Sequence, residues 1–192
     1  TCGISVDPDD GPIITRRINI PTEGTAVDLT VEPGITLSGV LGDGSEPVEY
    51  GVVYVNDANW ATITSIPVPA DGAWTVELAP GNYILRSITR TASAYVSQDL
   101  TARSYTTENT TVDLNPRRSP VTINLLGADG QPAAGTAKLE CNTYSPDTGN
   151  TYLYTSTTGS GTLTLSGIPT PEDQTCGISV DPDDGPIITR RI

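Results

Sequence analysis

The amino-acid sequence predicts an all-β fold of tandem seven-stranded antiparallel β-sandwiches, present as one window of a 174-residue repeat. The 192-residue chain is interrupted every few residues by 19 glycines and 16 prolines, which favours short strands and tight turns over helices. Between these breaks apolar and polar residues alternate, most clearly where Trp74, Val76 and Leu78 are separated by Thr75 and Glu77.

The repeat is read from residues 1–18 and 175–192, which share the sequence TCGISVDPDDGPIITRRI. The two copies are offset by 175 − 1 = 174 positions. Their apolar residues stand among turn residues, as in a folded segment rather than a purification tag. We therefore interpret the chain as one period of a longer array plus an overlap. The alternative is an engineered or polymer-forming protomer with duplicated ends.

The interior of the chain predicts a pair of related domains. Residues 34–118 form a complete sandwich whose seven predicted strands are ITLSGVLG, EYGVVYVND, ATITSIPV, AWTVELA, NYILRSITR, AYVSQDLTAR and NTTVDL. Residues 119–192 begin a second sandwich, because VTINLLGADGQPAAG aligns with ITLSGVLGDGSEPVEYG. Residues 1–33 are interpreted as the C-terminal strands of a preceding domain of the second type, since TAVDL (25–29) matches TTVDL (110–114).

This arrangement predicts a head-to-tail contact between copies of the chain. The next repeat or subunit would complete the second sandwich, either along one continuous chain or by strand addition from a separate protomer. The expected junction contains a short strand after residue 25 and the apolar ends of the repeated stretch. Its predicted residues are Asn19, Ile20, Ala26, Val27, Leu29, Val31, Ile187, Ile188 and Ile192.

Charge and cysteine usage predict an extracellular or cell-surface protein. A net charge of −13 disfavours binding to nucleic acid or to anionic membranes. Cys2 and Cys176 are the same position of the repeat, so each period has two distinct cysteines, which suggests a disulfide between Cys141 and Cys176. Cys2 would then pair with the equivalent of Cys141 in the preceding unit. Buried free thiols are the other interpretation.

The turns of the first domain resemble those of carboxypeptidase regulatory-like and Cna-B-type domains, which are transthyretin-like sandwiches. The resemblance rests on Asp43, Gly44, Pro47, Asp71, Gly72, Pro80, Gly81 and Tyr83, and in the second domain on Asp129, Gly130 and Pro132. It implies stalks, spacers or adhesin modules and specifies no activity. Such domains often contain a lysine–asparagine isopeptide bond, with the lysine in the first strand. The single lysine, Lys138, is in the second predicted strand of the second domain, which favours an ordinary exposed or edge-strand lysine.

Few residues suggest chemistry. The chain has no histidine, and we predict no catalytic residue and no enzyme activity. The VDPDDGP turns suggest either a solvated hairpin or a calcium site, with no other cofactor expected. The carboxylates concerned are Asp7, Asp9, Asp10, Asp181, Asp183 and Asp184.

Aromatic residues leave a second function open. Exposed rings could form a platform for glycans, although Tyr54 and Trp74 are expected in the core, and no residue is assigned to a glycan site. The candidate rings are Tyr50, Tyr54, Trp60, Tyr144, Tyr152 and Tyr154, and Asn109 begins a glycosylation sequon. The sequence thus favours a structural subunit of an extracellular fibre, stalk or adhesin, with a carbohydrate-binding or adhesive module, in some versions calcium-dependent, as the alternative.

Overall fold

The computed structural model describes residues 2–9, 11–29, 33–42, 46–105, 110–115, 118–145, 149–169 and 175–191. The regular structure of these residues is entirely β, as predicted, and no α-helix occurs among them. Within this part of the chain, no helix is long and apolar enough to cross a membrane. The strands are β1 Cys2–Val6, β2 Ile14–Ile18, β3 Ile35–Val40, β4 Tyr50–Asn56, β5 Thr62–Pro67, β6 Ala73–Leu78, β7 Gly81–Arg90, β8 Ala94–Asp99, β9 Arg103–Tyr105, β10 Thr110–Thr111, β11 Arg118–Asn124, β12 Ala134–Ser145, β13 Gly149–Ser160, β14 Thr162–Pro169, β15 Thr175–Pro182 and β16 Ile188–Arg191.

The first half of the chain folds as two sheets that face each other. Strands β10, β3 and β6 form one sheet, and β5, β4 and β7 face it from the other. Strand β8 continues that second sheet beside β7, and its buried Val96 packs in the core of the second half. Leu37 and Leu78 from the first sheet are fully buried against Val53 and Leu85 from the second. The alternation predicted for β6 is present, because Trp74, Val76 and Leu78 are buried while the residues between them are exposed.

The second half repeats this arrangement around its own core. Strands β11 and β14 pair as a two-stranded sheet, and β13, β12, β15 and β16 lie in the other layer. Leu139, Leu153 and Leu165 are fully buried in the centre of this core. Both halves begin with the same turn connection, since Leu41 N–H donates to the Gly72 carbonyl at 2.8 Å and Leu125 N–H donates to the Gly161 carbonyl at 2.7 Å.

A single long sheet joins the two halves, which the sequence did not predict. Its strand order is β16-β15-β12-β13-β8-β7-β4-β5, and β8 of the first half pairs antiparallel with β13 of the second from Asn150 opposite Asp99 to Thr155 opposite Ala94. Continuous backbone hydrogen bonding therefore crosses the boundary between the two sandwiches and fixes how they are placed.

Two strand predictions differ from the structure. The predicted strand AYVSQDLTAR is divided into β8 and the three-residue β9, because the chain leaves the long sheet at Leu100 and returns beside the start of β7. The strand expected at Ala26, Val27 and Leu29 is absent, since these residues pair with no strand in the part of the chain that the structure describes. Val31 lies outside that part. Alternation alone does not form a strand without an edge to pair with.

The junction of the two sandwiches predicts a large effect of one substitution. Gly149 has φ +76°, and an added Cβ would collide with the Asp99 carbonyl oxygen, whereas Gly130 has the same φ of +76° with open space around it. Gly130→Ala should cost about 1 kcal/mol from backbone strain alone. Gly149→Ala should lower the free energy of unfolding by about 2–4 kcal/mol, because a clash with rigid backbone is added. Equal losses in urea denaturation would contradict this description of the junction.

Candidate functional site: the repeated hairpin and a tyrosine-rich sheet face

The second copy of the repeated stretch forms a hairpin that is bound to the second sandwich. Strand β15 pairs antiparallel with β12 over eight residue pairs, from Gly135 opposite Pro182 to Asn142 opposite Thr175. Within this pairing Cys141 lies opposite Cys176, and the two form a disulfide with both cysteines buried. This is the pairing that the cysteine count suggested. Cys141 and Cys176 are 35 positions apart. By the chain-entropy model, closing a loop of this size adds about 4 kcal/mol to the free energy of unfolding.

The first copy forms the same hairpin in a different environment. Strands β1 and β2 pair with Gly3 opposite Arg17 and Val6 opposite Ile14, the same register that joins Gly177 to Arg191 and Val180 to Ile188. Among the described strands, β1 pairs only with β2. Cys2, the equivalent of the buried Cys176, is an exposed free thiol. The local sequence therefore determines the hairpin, and the partner strand determines its burial.

The turn of the first copy makes the contact that the second copy lacks. Pro12 is fully buried, and Ile13 packs on the first core, accepts a hydrogen bond from Ala79 N–H at 3.3 Å and donates to the Glu77 carbonyl at 3.4 Å. The equivalent Ile187 is 62% exposed. The second copy thus binds through its first strand, β15, and the first copy through its turn, so the two contacts use different residues of the same segment.

The predicted junction residues fall into three groups. Ile20, Ile187 and Ile188 are exposed apolar side chains. Ala26 is exposed, Val27 and Leu29 are partly exposed, and Asn19 follows β2. Val31 and Ile192 lie outside the described residues.

The acidic turns do not assemble a metal site in the described part of the chain. Asp7, Asp9, Asp181, Asp183 and Asp184 are exposed, and no group of three or more potential ligands is found among the described residues. The Asp183 N–H donates to the Ala134 carbonyl at 3.0 Å, which holds the second turn against the start of β12. Asp10 lies outside the described residues.

Six of the eight tyrosines lie on the outer face of the long sheet, here called the tyrosine face. Core residues alternate with them along each strand, as where fully buried Leu153 separates Tyr152 from Tyr154. The members are Tyr50, Tyr54, Tyr95, Tyr144, Tyr152 and Tyr154. Tyr83 and Tyr105, the other two, stack in the first core with centroids 6.4 Å apart.

Cross-strand pairing aligns part of this face in one row. Tyr50 lies opposite Arg90, Arg90 opposite Tyr95, and Tyr95 opposite Tyr154. The row continues to Glu140, which is opposite Tyr154 on β12. Because strands are about 4.8 Å apart, the three tyrosines extend over roughly 14 Å and cross the boundary between the sandwiches.

Hydrogen bonds and charges hold several of these rings in place. The Tyr152 hydroxyl donates to Glu140 Oε1 at 3.0 Å, and burial, followed by this contact, raises the pKa of Tyr152. The ring of Tyr152 meets Tyr95 edge-on at 6.0 Å. Arg86 Nε lies 3.3 Å from Asp99 Oδ1 beside the face, where burial raises the pKa of Asp99 and Arg86 partly opposes the shift. The face is therefore amphipathic rather than simply apolar.

The aromatic predictions are partly right. Trp74 is in the core as expected, whereas Tyr54 is not, because it points to the outer side of β4 between the buried residues Val53 and Val55. Trp60 is 55% exposed but occupies the β4–β5 turn with φ +64°. Tyr95 was missed, and its alternation with buried Ala94 and Val96 is the signal that marks it.

The single lysine is also on the outer side of the long sheet. Lys138 is exposed, with Ser156 and Ser179 as its cross-strand partners. This position is typical of a solvated strand lysine, whereas an isopeptide bond forms in a buried site. Asn109 of the glycosylation sequon lies outside the described residues.

Comparison with known proteins identifies structural neighbours but no family. No family model and no curated protein matches the chain. Among solved structures, a DUF3823 family protein from Bacteroides ovatus is 12% identical, with a TM-score of 0.29 and coverage of 83% of this chain and 97% of that one. A similarity of this size supports no functional argument, and the transthyretin-like resemblance stays an expectation from the turn residues.

Proposed function

We propose that the chain is a structural repeat or subunit of an extracellular fibre, stalk or surface adhesin, linked head-to-tail by the repeated hairpin. The observation that supports this function is the complementary environment of the two hairpin copies. In the assembled protein, one hairpin binds β12 of the preceding unit through its first strand and packs Ile13 on the first sandwich of its own unit. Each hairpin then makes both contacts at once.

The same arrangement explains the odd cysteine. At the junction Cys2 takes the place that Cys176 has beside Cys141, so that every unit is joined to the next by a disulfide as well as by strand pairing. Strand pairing in series transmits tension along the backbone, which suits a protein whose role is reach and mechanical continuity. A disulfide at each junction is compatible with a location outside the cell.

The tyrosine face favours a second candidate function, a carbohydrate-binding or adhesive module. Tyrosine offers a flat ring, whose negative π-face attracts the C–H groups of a sugar, together with a hydroxyl for hydrogen bonding. The row from Tyr50 to Tyr154 crosses four neighbouring strands of one sheet face, so its length suits an extended polysaccharide chain rather than a single small sugar. Such a face would repeat along a fibre, which adds avidity.

The head-to-tail function predicts disulfide-linked chains when the second hairpin is removed. A chain shortened to residues 1–174 lacks β15 and Cys176, so the β12 edge and Cys141 are both free, and the first hairpin of another copy should bind there and pair through Cys2. Under mild oxidation, nonreducing electrophoresis should show a ladder of oligomers. The same shortened chain with Cys2→Ser has one cysteine and should stop at a dimer. A shortened chain that stays monomeric would contradict the proposal.

The carbohydrate candidate predicts binding of an extended glycan at the tyrosine face. Cellohexaose, titrated with NMR detection, should bind the wild-type protein, and the double variant Tyr95→Ala, Tyr154→Ala should bind about tenfold or more weakly, because two stacking rings at roughly 0.5–1.5 kcal/mol each are lost. Trp60→Ala removes an exposed ring outside the row and is the matched control. Repeating the titration with a calcium chelator shows whether glycan binding depends on calcium. Equal affinities for all three proteins would exclude this site.

A further inference from the structure

Among the residues that the structure describes, β11 of the second sandwich has no strand at the edge where β10 closes the first sandwich. We propose that a segment with the sequence of Thr25–Leu29, from the next repeat or from a second copy of the chain, adds to β11 as a parallel strand and closes the second sandwich. The inference rests on the head-to-tail function proposed above and names the second contact of that junction, separate from the hairpin.

The first sandwich provides the template for this contact. There β10 pairs in parallel with β3, with Thr110 opposite Leu37 and Thr111 opposite Ser38. The next residue, Val112, donates its N–H to the Ser38 carbonyl at 2.8 Å, and Val112 and Leu114 are buried in the core. Asn115 then ends the strand by bonding to Gly42 N–H at 2.7 Å and to the Val40 carbonyl at 2.6 Å.

Strand β11 presents the same edge in the second sandwich. The shared turn bond places Leu125 at the position of Leu41, so Thr122 corresponds to Ser38 and Val121 to Leu37. The pairing with the next strand agrees, since Ser38 lies opposite Thr75 and Thr122 lies opposite Thr164. On its other side β11 has no strand among the described residues. The Thr122 carbonyl is therefore placed to accept a hydrogen bond, as the Ser38 carbonyl does.

Incomplete burial marks the same edge. Leu37 is fully buried under β10, whereas the corresponding Val121 and its neighbour Ile123 are only partly buried. Leu126, at the position where Gly42 contacts the end of the closing segment, is 58% exposed. A strand added at this edge would bury these apolar side chains, which is favourable.

The donor segment has the required sequence and is not used as a strand here. TAVDL (25–29) differs from TTVDL (110–114) at one position, which places Val27 and Leu29 at the positions of the buried Val112 and Leu114. In this structure both side chains are partly exposed and the segment belongs to no strand. Its apolar side chains thus lack the core that their equivalents have.

Two local differences define how the added strand must fit. Ile123 replaces Gly39, where an added Cβ would lie 2.5 Å from the Val112 carbonyl oxygen, so the added strand must sit slightly farther from β11 at this point. Opposite Ile123, Leu163 replaces the larger Trp74, which leaves room in the core for the isoleucine. Pro120 has no N–H and corresponds to Thr36. Because the pairing of β3 with β10 begins only at Leu37, the proline removes no hydrogen bond to the added strand.

The test uses the intact chain and a synthetic peptide of residues 19–32. The peptide should bind saturably and slow amide exchange at Thr122 and Asn124 by about tenfold or more, because both amides face the added strand. A control peptide with Val27→Ser and Leu29→Ser keeps the length and charge but loses both core side chains, and it should not slow exchange. The first sandwich, already closed by β10, is the internal control.

Two results would overturn the inference. One is exchange at β11 that neither peptide changes, or that both change equally. The other is slow exchange at Thr122 without any peptide, which would mean that the edge is already paired. The peptide assay does not depend on the hairpin. A missing disulfide ladder with a peptide that binds would count against the head-to-tail function alone. A ladder with a peptide that does not bind would count against this inference alone.

Discussion

The pairing of β12 with a hairpin strand is the interaction on which the arrangement of the chain depends. Strand β12 is central in the second sandwich, with β13 on one side and β15 on the other. Without the strand that carries Cys176, β12 becomes a sheet edge, Cys141 loses its partner, and the second core loses Val180 from its buried set. An exposed apolar edge of this length is a site for pairing with another chain. In the proposed head-to-tail array, the first hairpin of one unit supplies this strand to β12 of the preceding unit.

The long sheet extends this constraint through the molecule. Because β8 and β13 pair directly, the two sandwiches are joined by backbone hydrogen bonds rather than by a flexible linker. The sheet also brings tyrosines from both sandwiches onto one surface, and the row from Tyr50 to Tyr154 exists only because β8 lies beside β13. The β8–β13 pairing therefore also creates the one extended aromatic surface in the described part of the chain. A fibre built this way would present that surface at a regular interval.

Much of the fold follows from the sequence, because its signals are local. Glycines with positive φ at Gly72 and Gly161 close equivalent turns, and alternation along β6 and β13 identifies the buried faces. The cysteine pairing was suggested by counting, since one repeat position occurs twice. The join between β8 and β13 was not predictable, because edge-to-edge pairing of two sandwiches depends on which edges remain free after each has folded. Tyr54 was misassigned for a related reason: alternation gives two faces and does not say which one is inside. The segment at Val27 belongs to no strand here, which shows that alternation alone does not form a strand unless the segment pairs with an edge.

The central claim is that units of this chain are joined head-to-tail through the repeated hairpin. The most direct test is the mass of the native, folded protein, measured by light scattering under nonreducing conditions. A covalent array should have a mass that is a multiple of roughly 18 kDa, the share of one 174-residue period. Separate chains that associate should instead give multiples of 20.1 kDa. A homogeneous species of 20.1 kDa at every concentration would contradict the head-to-tail claim.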